Sequence, residues 1–594
     1  MPALSKHFLN TPASLVLDSL EGLCSVNPQL ALDTQNKIVY IKSHDRSKVA
    51  LMCGGGSGHE PAHAAFVGEG ILTSAVCGSV FASPNASQVR HGIDLIDNDK
   101  GTVIIVKNYT GDVLNFGLAK EQYAALHPEK ADRVKFVIVG DDVSVGKTQG
   151  KIVGRRGLAG TVLVYKIAGA LAHRGGSLDE VYDVVQWVAG NVATIGVSLE
   201  HTHVPGTAAP KSGLGESEIE IGMGIHNESG HRRVSPAPPL SELIPQLLDL
   251  LTSTSDPERS FVPFTGKDGV VLLINNLGGI SELELGGVVA ETRRALDARG
   301  FKASRILSGT FMTSLNMPGF SITLLRLPTQ KDTSAPSASL LLSLLDDTPK
   351  TPAWKWSSNA TPLPKSEQIV PAQKQADAAL RTIGLKSADP KAFIENIKHA
   401  ANGLIAAEPE ITRMDSIAGD GDCGLTLKAG AEGVLKKIEE GSIDGNDVVR
   451  SVIKIAQIAE EAMGGTSGAL YSIFFSGLAQ GLQAQSQESG ATITPQVWGE
   501  ALSSALTKLY TYTRARPPSR TLVDPLDAFI SAFFKDSTNF SKATKAAADA
   551  AEATKNIEAK AGRSAYVEGN RLKEEQIPDP GAWGVKTILE SFSA

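Results

Sequence analysis

Asp415-Ser-Ile-Ala-Gly-Asp420-Gly-Asp422-Cys-Gly424 places three carboxylates and three glycines within ten residues, between two stretches of helical spacing. Asp and Gly are poor helix-interior residues, so the run predicts a loop or tight turn between helices. Three acids that close repel one another by roughly 1 kcal/mol or more per pair unless a cation offsets them. Oxygen-only ligands suit Mg²⁺ or Ca²⁺ better than zinc. The spacing is not that of an EF-hand loop, and the bidentate Glu that would end one is absent. Mg²⁺ with a phosphate is the favoured reading; the alternative is a solvated acidic turn capping a helix.

Other residues nearby in sequence suit the same chemistry. Gly464-Gly-Thr466-Ser467-Gly468 offers backbone N–H groups and hydroxyls to an anion ahead of a helix. Arg514-Ala-Arg-Pro-Pro-Ser-Arg520-Thr521 is a positive cluster, and Asp579-Pro580-Gly581 is a turn. Acidic loop, anion-binding loop and arginines are what a metal-nucleotide site needs.

A second set lies far upstream. His59 follows the glycine run Gly54-Gly-Gly56-Ser57-Gly58, and His226 stands in Gly222-Met-Gly-Ile-His226-Asn, where no periodicity asks for a core residue. Asp112, in Lys107-Asn-Tyr-Thr-Gly-Asp112, follows another strand and could meet His59 at one sheet edge as an acid–base pair. His201, His203 and Glu228 form a looser candidate metal set. The glycine run misses the dinucleotide fingerprint, and Gly140 to Thr148 misses P-loop spacing by one residue, which excludes a P-loop NTPase.

The elements that must position these groups divide the chain. At 594 residues it exceeds one core. Over residues 1–200, strands at 48–52, 102–106 and 134–139 end in glycine turns and alternate with helices at 87–97 and 118–126, as in an α/β layer whose ligands sit at the strands' carboxyl ends. Residues 201–328 continue as a second α/β lobe, with strands at 269–275 and 321–326 and a helix at 284–299. Residues 329–370, rich in Pro and Ser, read as a linker, with regular structure expected only around Leu340–Leu345. Residues 371–594 read as an all-α domain of about six to eight helices.

A net charge of −7 argues against nucleic-acid or anionic-membrane binding. Apolar runs are strand-length, with no signal-peptide or membrane-spanning segment. Four scattered cysteines suit a reducing, cytoplasmic compartment.

Taken in order, Gly54-Gly-Gly-Ser-Gly-His-Glu-Pro61, Lys107 to Asp112, Gly222 to His226, Thr313-Ser-Leu-Asn-Met-Pro-Gly319, Gly419 to Gly424 and Gly464 to Leu470 closely resemble the ATP-dependent, single-chain dihydroxyacetone kinases over essentially the whole length. The resemblance implies a two-lobed triose-binding part followed by a helical barrel that binds Mg-ATP. It implies that His226 bonds to the substrate carbonyl as a hemiaminal, that His59 and Asp112 are the acid–base pair, and that Gly56, Ser57, Gly58 and Lys107 hold dihydroxyacetone or glyceraldehyde. Asp415, Asp420 and Asp422 would bind Mg²⁺. Asp422, Cys423, Gly424, Leu425, Thr466, Ser467, Arg520, Thr521, Asp579, Pro580 and Gly581 would surround ATP. It also implies a homodimer with the ATP domain of one chain over the triose site of the other, and it allows FAD cleavage to a cyclic flavin phosphate as a side reaction. Two departures stand near the nucleotide positions: Pro518-Ser519 where Gly-Asp is frequent, and Leu425 where Thr is common. A subunit phosphorylated by a phosphoprotein, an idle regulator and a nicotinamide dehydrogenase are the rival readings.

Overall fold

The computed structural model describes residues 5–208, 213–356, 360–362, 384–485, 489–559 and 575–592. The chain forms two compact units, 1–370 and 371–594.

The first unit holds two six-stranded sheets. Strands β1 (Leu30–Asp33), β2 (Ile38–Ile41), β3 (Ala50–Ser57), β4 (Ser74–Val80), β5 (Thr102–Lys107) and β6 (Val134–Val139) run in the order β1-β2-β4-β3-β5-β6. The four from β4 to β6 are mutually parallel. β5, Thr-Val-Ile-Ile-Val-Lys, is buried throughout, as a parallel strand covered on both faces must be. Strands β7 (Val192–Ser198), β8 (Ile219–Ile221), β9 (Arg232–Val234), β10 (Gly269–Asn276), β11 (Lys302–Gly309) and β12 (Gly319–Arg326) form the second sheet, ordered β11-β10-β12-β7-β8-β9 and antiparallel except for β10 with β11. Since β7 pairs with β12, the second sheet starts near residue 192 and not after 200. The helix Gly160–His173 is apolar on nearly every face because it packs against strands of both sheets.

Residues 329–356, expected as linker, belong to this unit. The helix Ala338–Asp346 is held by Arg174 to Asp347 (2.7 Å) and Arg305 to Asp346 (2.8 Å). Buried Trp354 then packs against Phe311. The leucines around 340–345 showed the helix, with Leu341, Leu344 and Leu345 buried at helical spacing; the Pro/Ser composition hid only that the segment is anchored to the α/β unit. Residues 357–359 and 363–370 of the expected linker, and 371–383 beyond it, lie outside the described residues.

The second unit shows eight α-helices among the described residues: Pro390–Ala418, Cys423–Glu439, Val448–Ile458, Gly465–Gln485, Pro495–Tyr512, Val523–Lys535, Phe540–Ala553 and Pro580–Ser591. Three start with Pro in the first turn behind an Asp or Thr whose side chain caps the helix. Their apolar faces line a pocket of about 500 Å³, bounded by residues such as Phe393, Leu404, Tyr471, Phe474 and Phe529. Among the described residues, no helix is long and apolar enough to cross a membrane.

Candidate active site

In the first unit the site forms at the carboxyl ends of β3 and β5. Gly58 adopts φ +105°, and a Cβ there would stand 2.6 Å from the Phe81 ring; a Cβ on Gly56 would stand 2.7 Å from the Ala82 amide. These glycines bring the end of β3 against the turn after β4, and Ser57 donates its hydroxyl to Gly78 O at 2.9 Å. The chain can then deliver His59, fully buried, to the centre.

His59 Nδ1 lies 2.9 Å from Thr313 O, and its Nε2 lies 3.0 Å from His226 Nε2. His226 Nδ1 lies 2.9 Å from Glu228 Oε1, while its backbone N–H donates to Glu228 Oε2 at 2.9 Å. A carbonyl and a carboxylate only accept, so Nδ1 of each ring carries hydrogen and the two Nε2 atoms face each other. Burial, then the nearby charges of Lys107 and His226, hold the His59 pKa well below its ordinary value. Burial works against ionisation of Glu228, but the hydrogen bond and charge of His226 outweigh it and hold the carboxyl at about 2. The rings of Phe81 and Tyr109 meet the His226 ring edge-on at 4.9 and 4.7 Å.

Lys107 ends β5, is fully buried, and its Nζ has no hydrogen-bond partner among the described residues. Burial lowers its pKa, opposed by the charge of Asp112. Asp112 lies in the first turn of the helix Thr110–Leu126, where Oδ1 accepts the Ser83 hydroxyl at 2.5 Å; burial raises its pKa against the pull of Lys107. The expected His59–Asp112 pairing is not a direct bond: His59 has both ring nitrogens engaged by Thr313 and His226.

His201, His203 and Glu228 do not converge. His201 pairs with Glu200, His203 with His7 and the Thr207 carbonyl, and Glu228 with His226.

In the second unit, oxygens of Asp415, Asp420 and Asp422 lie within 4.8 Å of one another, the one such group of possible metal ligands among the described residues. Asp415 is not in the loop as expected but buried in the last turn of the helix Pro390–Ala418, where Oδ2 accepts the Cys423 N–H at 2.9 Å. The turn itself is Gly419 to Asp422, with Gly421 at φ +82°, while Cys423, Gly424 and exposed Leu425 already belong to the next helix. Asp422 stands at that helix's cap position without making a side-chain cap bond, which removes the main support for a capping turn. Three oxygen donors that close, one of them buried, fit a hard divalent cation such as Mg²⁺.

The glycine–hydroxyl loop follows a π-turn, Ala459–Met463. Gly464 and Gly465 both adopt left-handed φ, +63° and +54°, and Thr466 and Ser467 sit in the first turn of the helix that follows, whose leading amides lack intrahelical acceptors. Leu427, Met463, Tyr471, Trp583 and Cys423 pack into one apolar cluster, so the acidic turn, this loop and the 579–581 turn adjoin.

The Asp579 carboxylate caps the helix Pro580–Ser591 through Ala582 N–H at 2.8 Å, and burial pushes its pKa up to about 7. Gly581 lies directly beneath it. Arg520 points inward: only 1 % exposed, it donates to the carbonyls of Thr554 (2.8 Å) and Ile577 (3.0 Å) and so braces the segment leading to Asp579. Arg516 stacks on Tyr510 and also binds carbonyls. The arginine run therefore builds the rim, with two of its three guanidinium groups engaged by backbone. Ser519 and Thr521 both bond the buried Asp524 carboxylate, which explains a serine at 519.

Sequence reasoning missed Thr313, Ser83, Phe81 and Tyr109 as neighbours of the histidines, and Glu228 as the partner of His226. The spacing His226-Asn-Glu228 was one available signal, and Tyr109 and Thr313 stand in motifs already quoted; Phe81 and Ser83 leave none.

The chain matches the Dak1 domain over residues 21–352 and the DAK2 domain over residues 417–594. It is 43 % identical to a dihydroxyacetone kinase of Pichia angusta, covering 99 % of this chain and 98 % of that one. It is 38 % identical to the human triokinase/FMN cyclase, covering 99 % of each. The crystal structure of the dihydroxyacetone kinase from C. freundii in complex with AMP-PNP and Mg²⁺ superposes with a TM-score of 0.64 at 30 % identity, covering 99 % of both chains. A Dak1 domain followed by a DAK2 domain, together with full-length identity to these enzymes, shows that the chain belongs to the dihydroxyacetone kinase family.

Proposed function

We propose that this chain phosphorylates a terminal hydroxyl of dihydroxyacetone with ATP, accepts glyceraldehyde as a second substrate, and holds the triose as a hemiaminal on His226. Its family makes it an ATP-dependent kinase that uses Mg²⁺. The observation that carries the finer reading is the row Thr313 O, His59, His226 and Glu228, in which both Nδ1 atoms are held by acceptors and the two Nε2 atoms face each other at 3.0 Å.

When a triose carbonyl enters, His226, its hydrogen on Nδ1, attacks the carbonyl carbon through the Nε2 lone pair. The C=O π pair moves to oxygen, which takes a proton from solvent by way of His59 Nε2. His226 keeps Nδ1–H and a positive charge opposite the Glu228 carboxylate. Glycerol has no carbonyl to attack and is not held. Asp112, assisted by His59, then removes the proton of the terminal hydroxyl as that oxygen attacks the γ-phosphorus, and ADP leaves. Lys107 donates to substrate oxygens, which gives its buried amine a partner. Gly56, Ser57 and Gly58 line the triose.

Asp415, Asp420 and Asp422 would hold Mg²⁺, which when bound neutralises phosphate charge. The amides and hydroxyls of Thr466 and Ser467 bind phosphate oxygens. Cys423, Gly424, Leu425, Thr521 and the Asp579–Gly581 turn shape the nucleotide site, and Arg520 supports it from behind. We place the enzyme in the cytoplasm, where its four free cysteines stay reduced.

The two half-sites belong to separate units, which suits a homodimer that brings the ATP unit of one copy to the triose unit of the other. The test couples ATP consumption to added dihydroxyacetone for the wild type, His226→Ala and Asp420→Asn. Each variant alone should lose turnover. Mixed and allowed to exchange subunits, they should regain it, since one supplies an intact ATP unit and the other an intact triose unit. Full turnover by either variant alone would overturn that residue's role, and a silent mixture would overturn the arrangement in trans.

A further inference from the structure

We infer that Arg156 is a positioning residue for the triose site, acting on His226 through Glu228; this rests on the reading of His226 given above. The loop after β6 carries Asp142, almost fully buried, whose Oδ2 accepts Arg156 Nε–H at 2.8 Å. Asp142 is itself fixed from both sides: Ser144 N–H donates to Oδ1 at 2.8 Å, and the Asp142 N–H donates to Arg156 O at 3.0 Å. The other arm of the guanidinium, Nη2, donates to Ser144 Oγ (2.8 Å) and to Gly222 O (2.7 Å). The planar fork is thereby locked, and Nη1 is left facing Glu228 Oε2 at 4.0 Å.

Glu228 Oε2 is the oxygen that accepts the His226 backbone N–H, while Oε1 meets the ring. Charges therefore alternate along one line, Asp142, Arg156, Glu228, and the line ends on the imidazole that must point its Nε2 at the carbonyl. Burial works against the Arg156 cation, and the charges of Asp142 and Glu228 help to outweigh it. A lysine could not reproduce this, because an ammonium has no second arm with which to hold Ser144 and Gly222 while facing Glu228.

The turn shows the same requirement independently. A Cβ on Gly224 would stand 2.0 Å from Glu228 Oε2 and 2.5 Å from Arg156 Nη1, within the gap between the two charges. The backbone at 224 must therefore be bare for arginine and glutamate to face each other. Arg156 also reaches between the loop after β6 and the turn after β8, so the two sheets are registered at the residue that orients the nucleophile.

The test is a double-mutant cycle on Arg156→Met, Glu228→Gln and the pair, read in kcat/KM for dihydroxyacetone and in the occupancy of the carbonyl adduct formed without ATP. The adduct is followed by ¹³C NMR of dihydroxyacetone labelled at its carbonyl carbon. Each single variant should lower kcat/KM by about tenfold or more. Adduct occupancy should fall, the KM for ATP should hold, and the double variant should lose little beyond the worse single one. Arg156→Lys should recover only part of the loss; if Arg156→Met does not fold, Arg156→Lys takes its place in the cycle. Wild-type adduct occupancy in the arginine variant, or losses that multiply independently, would overturn the inference. If the wild type itself formed no adduct, the hemiaminal reading would fall, and the inference with it.

Discussion

Gly424→Ala is the sharpest structural perturbation of the proposed metal site, because the helix carrying Asp415 and the helix that Asp422 precedes touch at that glycine. A Cβ at 424 would stand 2.2 Å from Thr412 Oγ1 and 2.4 Å from Glu408 O, both on the helix Pro390–Ala418. Ordinary contact needs about 3.5 Å, so the two helices must part by roughly 1 Å. Overpacking of this kind costs about 1–3 kcal/mol. In a unit spanning 371–594, that lowers Tm by about 3–10 °C. The same displacement pulls Asp415 away from Asp422 and strains its bond to the Cys423 N–H. Mg²⁺ ligand distances tolerate only a few tenths of an ångström, so the Mg²⁺ concentration for half-maximal activity should rise about tenfold or more. The assay is a Mg²⁺ titration of ATP turnover beside a thermal melt. Gly499→Ala is the control: it lies inside the helix Pro495–Tyr512 and a Cβ there meets nothing closer than 3.8 Å, so Mg²⁺ dependence should hold and Tm should stay or rise. Wild-type Tm together with wild-type Mg²⁺ dependence in Gly424→Ala would refute the reasoning.

Further outcomes follow from single residues. Lys107→Met should raise the KM for dihydroxyacetone by about tenfold or more while stabilising the fold by about 1 kcal/mol, because it removes a buried amine that has no hydrogen-bond partner; denaturant melts and steady-state kinetics on one preparation check both signs. Gly224→Ala should reproduce the Arg156→Met phenotype, raising the KM for the triose and leaving the KM for ATP unchanged. Lys166, buried and donating to Leu344 O, is pushed down to about 8 by burial, against 10.5 ordinarily. The unfolded chain therefore binds more protons between those values, and stability from this group rises with pH from about 8 to 10.5. Chemical unfolding of the wild type against Lys166→Met at pH 7 and 9 should show the wild type gaining on the variant as pH rises.

The strand, glycine turn and helix rhythm of the first unit was legible because buried parallel strands such as β5 are unbroken apolar runs ending in glycine. The helices of the second unit were equally plain from their spacing. What sequence could not show was direction and partnership. Arg520 reads as a free cation, yet its left-handed backbone turns the side chain inward to carbonyls more than thirty residues away. Asp415 reads as part of a loop because Gly419 and Gly421 follow closely, although the helix that begins at Pro390 runs on to Ala418 and keeps Asp415 in its last turn. Glu228 resembled a loose metal ligand because nothing local reveals that Arg156 waits behind it. The fold boundary near residue 192 was missed because β7 looks like any other strand until its pairing with β12 is known.

The proposed function stands or falls with a covalent bond between His226 and the triose. ¹³C NMR of carbonyl-labelled dihydroxyacetone with the wild type, without ATP, should show the carbonyl resonance replaced by that of a tetrahedral carbon. The new resonance should be absent with His226→Ala and should give way to phosphorylated product when Mg-ATP is added to the wild type. A bound triose whose carbonyl resonance survives in the wild type, or a tetrahedral resonance that persists in His226→Ala, would contradict it.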